Sequence, residues 1–346
     1  MKKAGWLLLF AAVLAALAFV PDGLILSEFN NAYYTGTAVD SSIRLQPYGG
    51  MIALGAFLAA GVFFLLRLRK EQDKSAAFSR CIAFVGSAAF FGFVFSRLLY
   101  CLTSLIFYLR QAGITAVFRW WEGGMSMTGA LLGIALGGFL TIRRDSRSWE
   151  SAVPAAAILI ACARFAETFG SLGRGMDVDW EGFLTIADPY GFGNVLNVWF
   201  IELTVVLVIC AALLLWKRFS SGCPRGVWFA AASLIVYCTV QILMESLRAD
   251  RHMIWGFVKS QQLFSFLLAF ACLLLFALRR SRITLTVVSS LALAGAVFSL
   301  EKALDRLPVS PIWLYLVFIA LLFCYLSFAV SVITSPETAR RTGQNR

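Results

Sequence analysis

Ionisable and hydroxyl side chains recur inside long apolar runs of this sequence, and their spacing is regular. Arg97 and Tyr100 lie one helical turn apart, as do Arg164 and Glu167, and Glu202 interrupts a later run. Tyr237, Gln241, Glu245 and Arg248 recur every three to four residues, which puts them on one face of a helix. Between these groups stands Gly123-Gly124-Met125-Ser126-Met127-Thr128, a glycine pair and two hydroxyls at the mouth of another apolar run. Guanidinium groups hold phosphate bidentately and stay charged. A glycine pair lets backbone approach a ligand closely, or lets helices pack. The chemistry is that of a lipid headgroup site, which an enzyme, a lipid binder or a flippase would share.

The elements that position these residues must sit in a membrane. Of the 346 residues 60% are hydrophobic and only 14% charged, and the mean hydropathy is +0.79. Soluble domains carry about a quarter charged residues, so this chain cannot hide its apolar surface in a water-soluble core. Continuous rather than alternating apolar runs exclude a membrane barrel and leave helices. The net charge of +11 comes from short basic clusters beside apolar runs, which fits orientation in a bilayer rather than nucleic acid. The eight cysteines show no metal-type spacing and most lie in apolar runs, as small buried residues do. With one histidine, His252, read as a surface residue, neither a metal site nor a cofactor is expected.

Ten spans are expected. The first covers Gly5 to Val20, read as an uncleaved span rather than a signal peptide because no small-x-small cleavage site precedes Pro21-Asp22. The others run about Tyr48–Leu66, Ala76–Leu102, Gly123–Ile142, Ala152–Phe169, Leu196–Trp216, Val227–Leu247, Gln262–Leu278, Ile283–Leu300 and Ile312–Ile333. Lys2-Lys3 and the clusters after spans two, four, six, eight and ten then fall on one side, so both termini are expected in the cytoplasm. Residues 22–46 form an outer segment, with a small outer cap at most. This topology places Arg97, Tyr100, Arg164, Glu167, Glu202, Gln241 and Glu245 in the outer half of the membrane. A charge deep in a span costs roughly 2.5–3.5 kcal/mol, and one depth recurring across four spans points to a shared polar cavity. Arg97 and Arg248 could instead snorkel from span ends, and Arg164 with Glu167 could be a self-contained i, i+3 pair.

Several blocks resemble the prolipoprotein diacylglyceryl transferase family. Phe118-Arg-Trp-Trp-Glu-Gly-Gly-Met-Ser-Met-Thr-Gly-Ala-Leu-Leu-Gly133 resembles the family's Trp-x-Gly-Gly-Met-Ser-x-His-Gly-Gly block. Ile43-Arg-Leu-Gln-Pro-Tyr-Gly-Gly-Met51 resembles its first-span opening. Phe91-Gly-Phe-Val-Phe-Ser-Arg-Leu-Leu-Tyr100 resembles Gly-Arg-x-x-Tyr, and Ala163-Arg-Phe-Ala-Glu-Thr-Phe169 resembles Gly-Arg-x-Gly-Asn-Phe-x-Asn. Tyr237 to Arg248 is similar to the last polar helix. The chain departs from the pattern at Thr128 (family His), Glu167 (signature Asn) and Gln241 (family Arg). The His-Pro-Ser-Gln block before span six survives only as Gly193-Asn-Val-Leu-Asn197.

The resemblance implies an all-α integral membrane protein with a seven-span core over residues 43–280. One extra span with an outer segment (1–42) precedes it, and two spans and a tail (281–346) follow. It implies transfer of diacylglyceryl from phosphatidylglycerol to the lipobox cysteine thiol of a preprolipoprotein signal peptide, by a monomer in the bacterial plasma membrane. Arg164, with Arg97 or Arg248, would hold the departing phosphate, and Tyr48, Tyr100 and Tyr237 would orient the glycerol. Gly123, Gly124, Ser126, Thr128 and Gln241 complete the lipid-binding set. Thioether formation needs a thiolate. With Thr128 in the histidine position, Glu167 or Glu245 is left to take the proton, a role open to a buried carboxylate. A catalytically silent paralogue that binds phospholipid or signal peptide is the rival reading. A transporter would show paired broken helices or a repeat between halves, and the sequence has neither.

Overall fold

A computed structural model describes residues 3–20, 45–69, 71–103, 105, 108–109, 113–170, 173–187, 193–249, 254–255, 258–306 and 311–335. Residues 22–44, His252 and the tail beyond Ser335 lie outside the described residues. The described residues contain ten α-helices: α1 Lys3–Leu17, α2 Pro47–Leu68, α3 Lys74–Thr103, α4 Met127–Ile142, α5 Ser146–Ala166, α6 Val198–Phe219, α7 Val227–Leu247, α8 Ser260–Arg280, α9 Ile283–Arg306 and α10 Pro311–Thr334. Eight are long and apolar enough to cross a membrane, while α1 and α4 are shorter apolar helices. The molecule is an all-α, multi-pass membrane protein.

The helices fall into two compact units. One comprises residues 1–212 and 247–253, the other 213–246 and 254–346. In the first unit α3 and α4 pack backbone to backbone. A Cβ on Gly129, Gly133 or Gly137 would overlap the α3 backbone at Phe95–Ser96, Phe91–Gly92 and Ser87–Ala88 respectively. These glycines lie four residues apart, so they form one stripe on α4, the small-residue device that lets membrane helices approach closely. Gly55 of α2 lies against the side chain of Cys162 in α5, and Gly86 of α3 meets the backbone of Trp6 in α1. In the second unit Ile235 and Ile242 of α7 share a core with Leu273 and Phe276 of α8, Val297 of α9 and Phe318 of α10.

Three short strands interrupt the helical order: β1 Arg174–Val178, β2 Thr185–Ala187 and β3 Asn194–Asn197, all antiparallel in the order β1-β3-β2. They lie between α5 and α6, in a segment that reads from sequence only as an outer loop. Asn197 ends β3, and its Oδ1 accepts from Phe200 N at 3.4 Å to open α6. A two-stranded ribbon, β4 Ile254–Trp255 with β5 Val258–Lys259, precedes α8.

Arg67 is a finding of the fold. Its cluster reads from sequence as an orientation signal, but the side chain is buried at the end of α2. It donates to Asp145 Oδ2 through Nε at 3.2 Å and Nη2 at 2.8 Å, and to Ser148 Oγ at 3.0 Å, and it pairs with Glu71. Asp145 also accepts from Ser148 N as the N-cap of α5. Burial pushes the Asp145 carboxyl up, but the hydrogen bonds from Arg67 and Ser148 outweigh it and hold the group below the usual carboxylate range. A folded-state value lowered in this way contributes stability that is full above the unfolded value of about 3.9 and is lost as pH falls through the folded value. Asp145→Asn keeps a competent cap and removes the charge. The variant is expected to melt below wild type at pH 7, with the gap closing below about pH 4. A gap that stays constant from pH 7 to pH 3 in thermal scans would refute this account.

Candidate functional site

Four charged side chains of the first unit meet in a closed ring. Arg164 and Glu167 stand at the end of α5, Glu202 in the second turn of α6, and Arg248 just beyond α7. Glu167 Oε1 accepts from Arg164 Nη1 at 2.7 Å and lies 3.0 Å from Arg248 Nη2. Glu202 Oε2 accepts from Arg248 Nη1 at 2.9 Å and lies 2.8 Å from Arg164 Nε. Each side chain is 8% exposed or less. The i, i+3 contact between Arg164 and Glu167, the alternative to a shared site, is present but is not self-contained: it is one edge of a larger figure.

Local structure holds the ring in place. β1 bridges to the chain after α7, with Gly175 opposite Arg248 and Ala249 N donating to Arg174 O at 2.9 Å. Gly173 sits with φ +75°, and a Cβ there would strike Glu167 Oε2 and Trp199. Its carbonyl accepts from Trp199 N at 3.0 Å, beside the edge-to-face pair of Phe165 and Trp199. Only glycine fits a left-handed turn laid directly on a carboxylate. Glu167 Oε2 has no hydrogen-bond partner among the described residues.

Arg97 is not in the ring. Its guanidinium donates to five carbonyls of the segment before α4. Nε donates to Val117 O at 3.0 Å, Nη2 to Ala116 O at 2.8 Å and Arg119 O at 3.1 Å, and Nη1 to Gly124 O at 3.2 Å and Gly123 O. Those contacts use all five of its N–H groups. Tyr100 and Tyr108 flank it at 6.0 and 5.6 Å from their ring centroids. Non-helical backbone at membrane depth persists only where protein satisfies it, and Arg97 does this for the segment.

The glycine pair completes that segment. Span four was expected to begin at Gly123, but the helix begins at Met127. Gly123 and Gly124 precede it with φ +82° and +78°, a conformation that helix-forming residues do not hold. A Cβ on Gly124 would overlap the ring of Tyr100, which is buried beneath it. Ser126 caps α4, its Oγ accepting from Gly129 N at 3.3 Å while its own N–H donates to Ser96 O at 3.1 Å. Thr128 is buried in the first turn of α4, and Tyr48 is half-buried in the first turn of α2.

The second unit holds Tyr237, Gln241 and Glu245, and is described by itself. Gln241 Nε2 donates to Glu245 Oε1 at 3.0 Å. The last carbonyls of α7 are capped from neighbouring helices and the β5 strand. Lys259 Nζ reaches Glu245 O at 2.7 Å, Gln262 Nε2 reaches Ile242 O at 3.1 Å and Glu301 Oε1 at 2.6 Å, and Tyr315 reaches Ser246 O at 3.2 Å.

The residues placed by sequence in one polar cavity thus separate into three constructions, and Glu202, left without a role there, is a corner of the ring. Gly124→Ala is expected to destabilise the fold by about 1–3 kcal/mol because it combines positive φ with overlap on Tyr100. Gly113→Ala shares the positive φ but meets nothing closer than Thr115 Oγ1 at 4.0 Å, so its loss should be the smaller. Equal losses in thermal melts of the two variants would exclude the Tyr100 contact as the cause.

Comparison with known proteins agrees with this geometry. A family model described as prolipoprotein diacylglyceryl transferase matches residues 37–278, more than two thirds of the chain. The matched segment contains α2 to α7, all but the last two residues of α8, the ion ring and the Arg97 loop. No curated protein matches the chain. A match over that length shows the family: the chain belongs to the prolipoprotein diacylglyceryl transferase family.

Proposed function

We propose that this protein transfers diacylglyceryl from phosphatidylglycerol to the lipobox cysteine thiol of a preprolipoprotein, as a monomer in the bacterial plasma membrane with both termini cytoplasmic. The observation that carries the reading is the convergence of Arg164 and Arg248 on shared carboxylates, which holds two guanidinium groups side by side. Two such groups can grip the phosphodiester of the lipid. The thiolate sulfur attacks the glycerol carbon that bears the phosphate. A carbon–sulfur bond forms, the carbon–oxygen bond breaks, and its electron pair leaves on the phosphate oxygen of glycerol phosphate. The arginines stabilise the charge that develops there.

The thiol proton needs an acceptor. Glu167 offers one, because its Oε1 is held by both arginines while Oε2 carries no hydrogen bond among the described residues. Arg97 acts through the Gly123-Gly124 segment it fixes, as a positioning residue. Tyr48, Tyr100, Ser126 and Thr128 shape the surrounding protein rather than the reacting bonds. Glu245, with Gln241 and Tyr237, is the alternative acceptor and is tested separately. The buried Thr128, where the family motif has histidine, favours a second reading, a paralogue that binds phospholipid or signal peptide without chemistry.

Expression in cells depleted of their own transferase, with mass spectrometry of a reporter lipoprotein, separates the readings. A thioether-linked diacylglyceryl adduct is expected, and a correctly inserted protein that yields none would leave the binding role. Arg164→Lys keeps the charge but loses the fork, and is expected to lower transfer by about a hundredfold. If Glu167→Gln and Glu245→Gln each leave lipidation at the wild-type level, neither carboxylate is the base.

A further inference from the structure

Glu167 occupies the position where the family motif carries asparagine, and the ring shows what the added charge does. Arg164 and Arg248 contribute two positive charges, Glu167 and Glu202 two negative ones, so the four side chains sum to zero. An asparagine in place of Glu167 would leave the set at plus one. Glu167 is 4% exposed, so its charge is weakly screened by solvent. Its Oε2 accepts no hydrogen bond among the described residues. Through Oε1 the carboxylate is held by both arginines, so its negative charge is set directly against theirs.

We propose that Glu167 sets the headgroup charge that the arginine pair holds, admitting a phosphodiester monoanion and expelling the phosphomonoester formed from it. This rests on the transferase reading given above. In that reaction the donor's phosphate is a diester with one negative charge. The product is a monoester, which carries about −1.5 to −2 at pH 7. A ring with a net positive charge would tighten on the product as this charge appears. A neutral ring gains less from the added charge and lets the product go. Glu167 is thus also a specificity-determining residue, and this effect is read in a ratio of two affinities, separately from its part in proton transfer.

The test uses the full chain in phosphatidylcholine nanodiscs and two soluble probes, glycerol 1-phosphate as the monoester and glycerophosphoglycerol as the diester. Calorimetric titration of wild type should give a monoester affinity no greater than that for the diester. Glu167→Gln should raise monoester affinity about tenfold more than diester affinity, the order expected for removing a unit charge a few ångströms away. Glu202→Gln removes the same charge from the same arginines and should move the ratio in the same direction, which keeps the test intact if one variant does not fold. Probes that bind with an unchanged ratio in both variants would overturn the charge filter and leave the transferase reading standing. If neither probe binds to wild type or to either variant, both fall together.

Discussion

Two arginines and two glutamates, buried together and paired with one another, fix the architecture of the first unit. Removing one partner from a buried ion pair typically costs about 3–5 kcal/mol, because the others are left uncompensated. The four residues come from the end of α5, the start of α6 and the chain after α7, so each segment must arrive in register for the charges to cancel. The small sheet serves the same end. Through Gly175 and Arg174 it fastens the Arg248 strand, and through Gly173 it lays backbone on Glu167. What reads along the chain as a loop with scattered glycines is the clamp on a charge cluster.

Much of this was legible in the sequence. The apolar runs located the helices closely, because hydropathy in a bilayer is nearly decisive. Arg164, Glu167, Glu202 and Arg248 stood out as charges that a span does not carry without reason. The resemblance of the Gly-Gly-Met-Ser block led to the family that the comparison finds. The beginning of α4 was misplaced by four residues, since Gly123 and Gly124 are apolar to a hydropathy reading but left-handed in the fold.

The partners of the arginines were the least legible feature. Arg97 stands in a motif, and a motif arginine invites a phosphate, yet its five donors go to loop carbonyls. Backbone acceptors leave no mark in a sequence, so nothing along the chain separates the two uses. Arg67 was hidden differently. Its partner Asp145 lies 78 residues away, and a basic cluster at a span end already has a sufficient explanation in membrane orientation. Both residues perform the same physical task at different ends of α2, α3 and α4, which is to satisfy polar groups that tight glycine packing has drawn away from solvent.

The short α4 has a consequence for the lipid around it. Its 16 residues reach about 24 Å at 1.5 Å per residue, against a hydrocarbon thickness of about 30 Å. The glycine stripe holds α4 flat against α3, so the helix cannot be lengthened by sliding. The segment 123–126 held by Arg97 therefore carries the chain through the rest of that thickness, where a full-length span would be helical. Lipid beside this mouth of α4 consequently meets carbonyls already satisfied from within the protein, not open backbone.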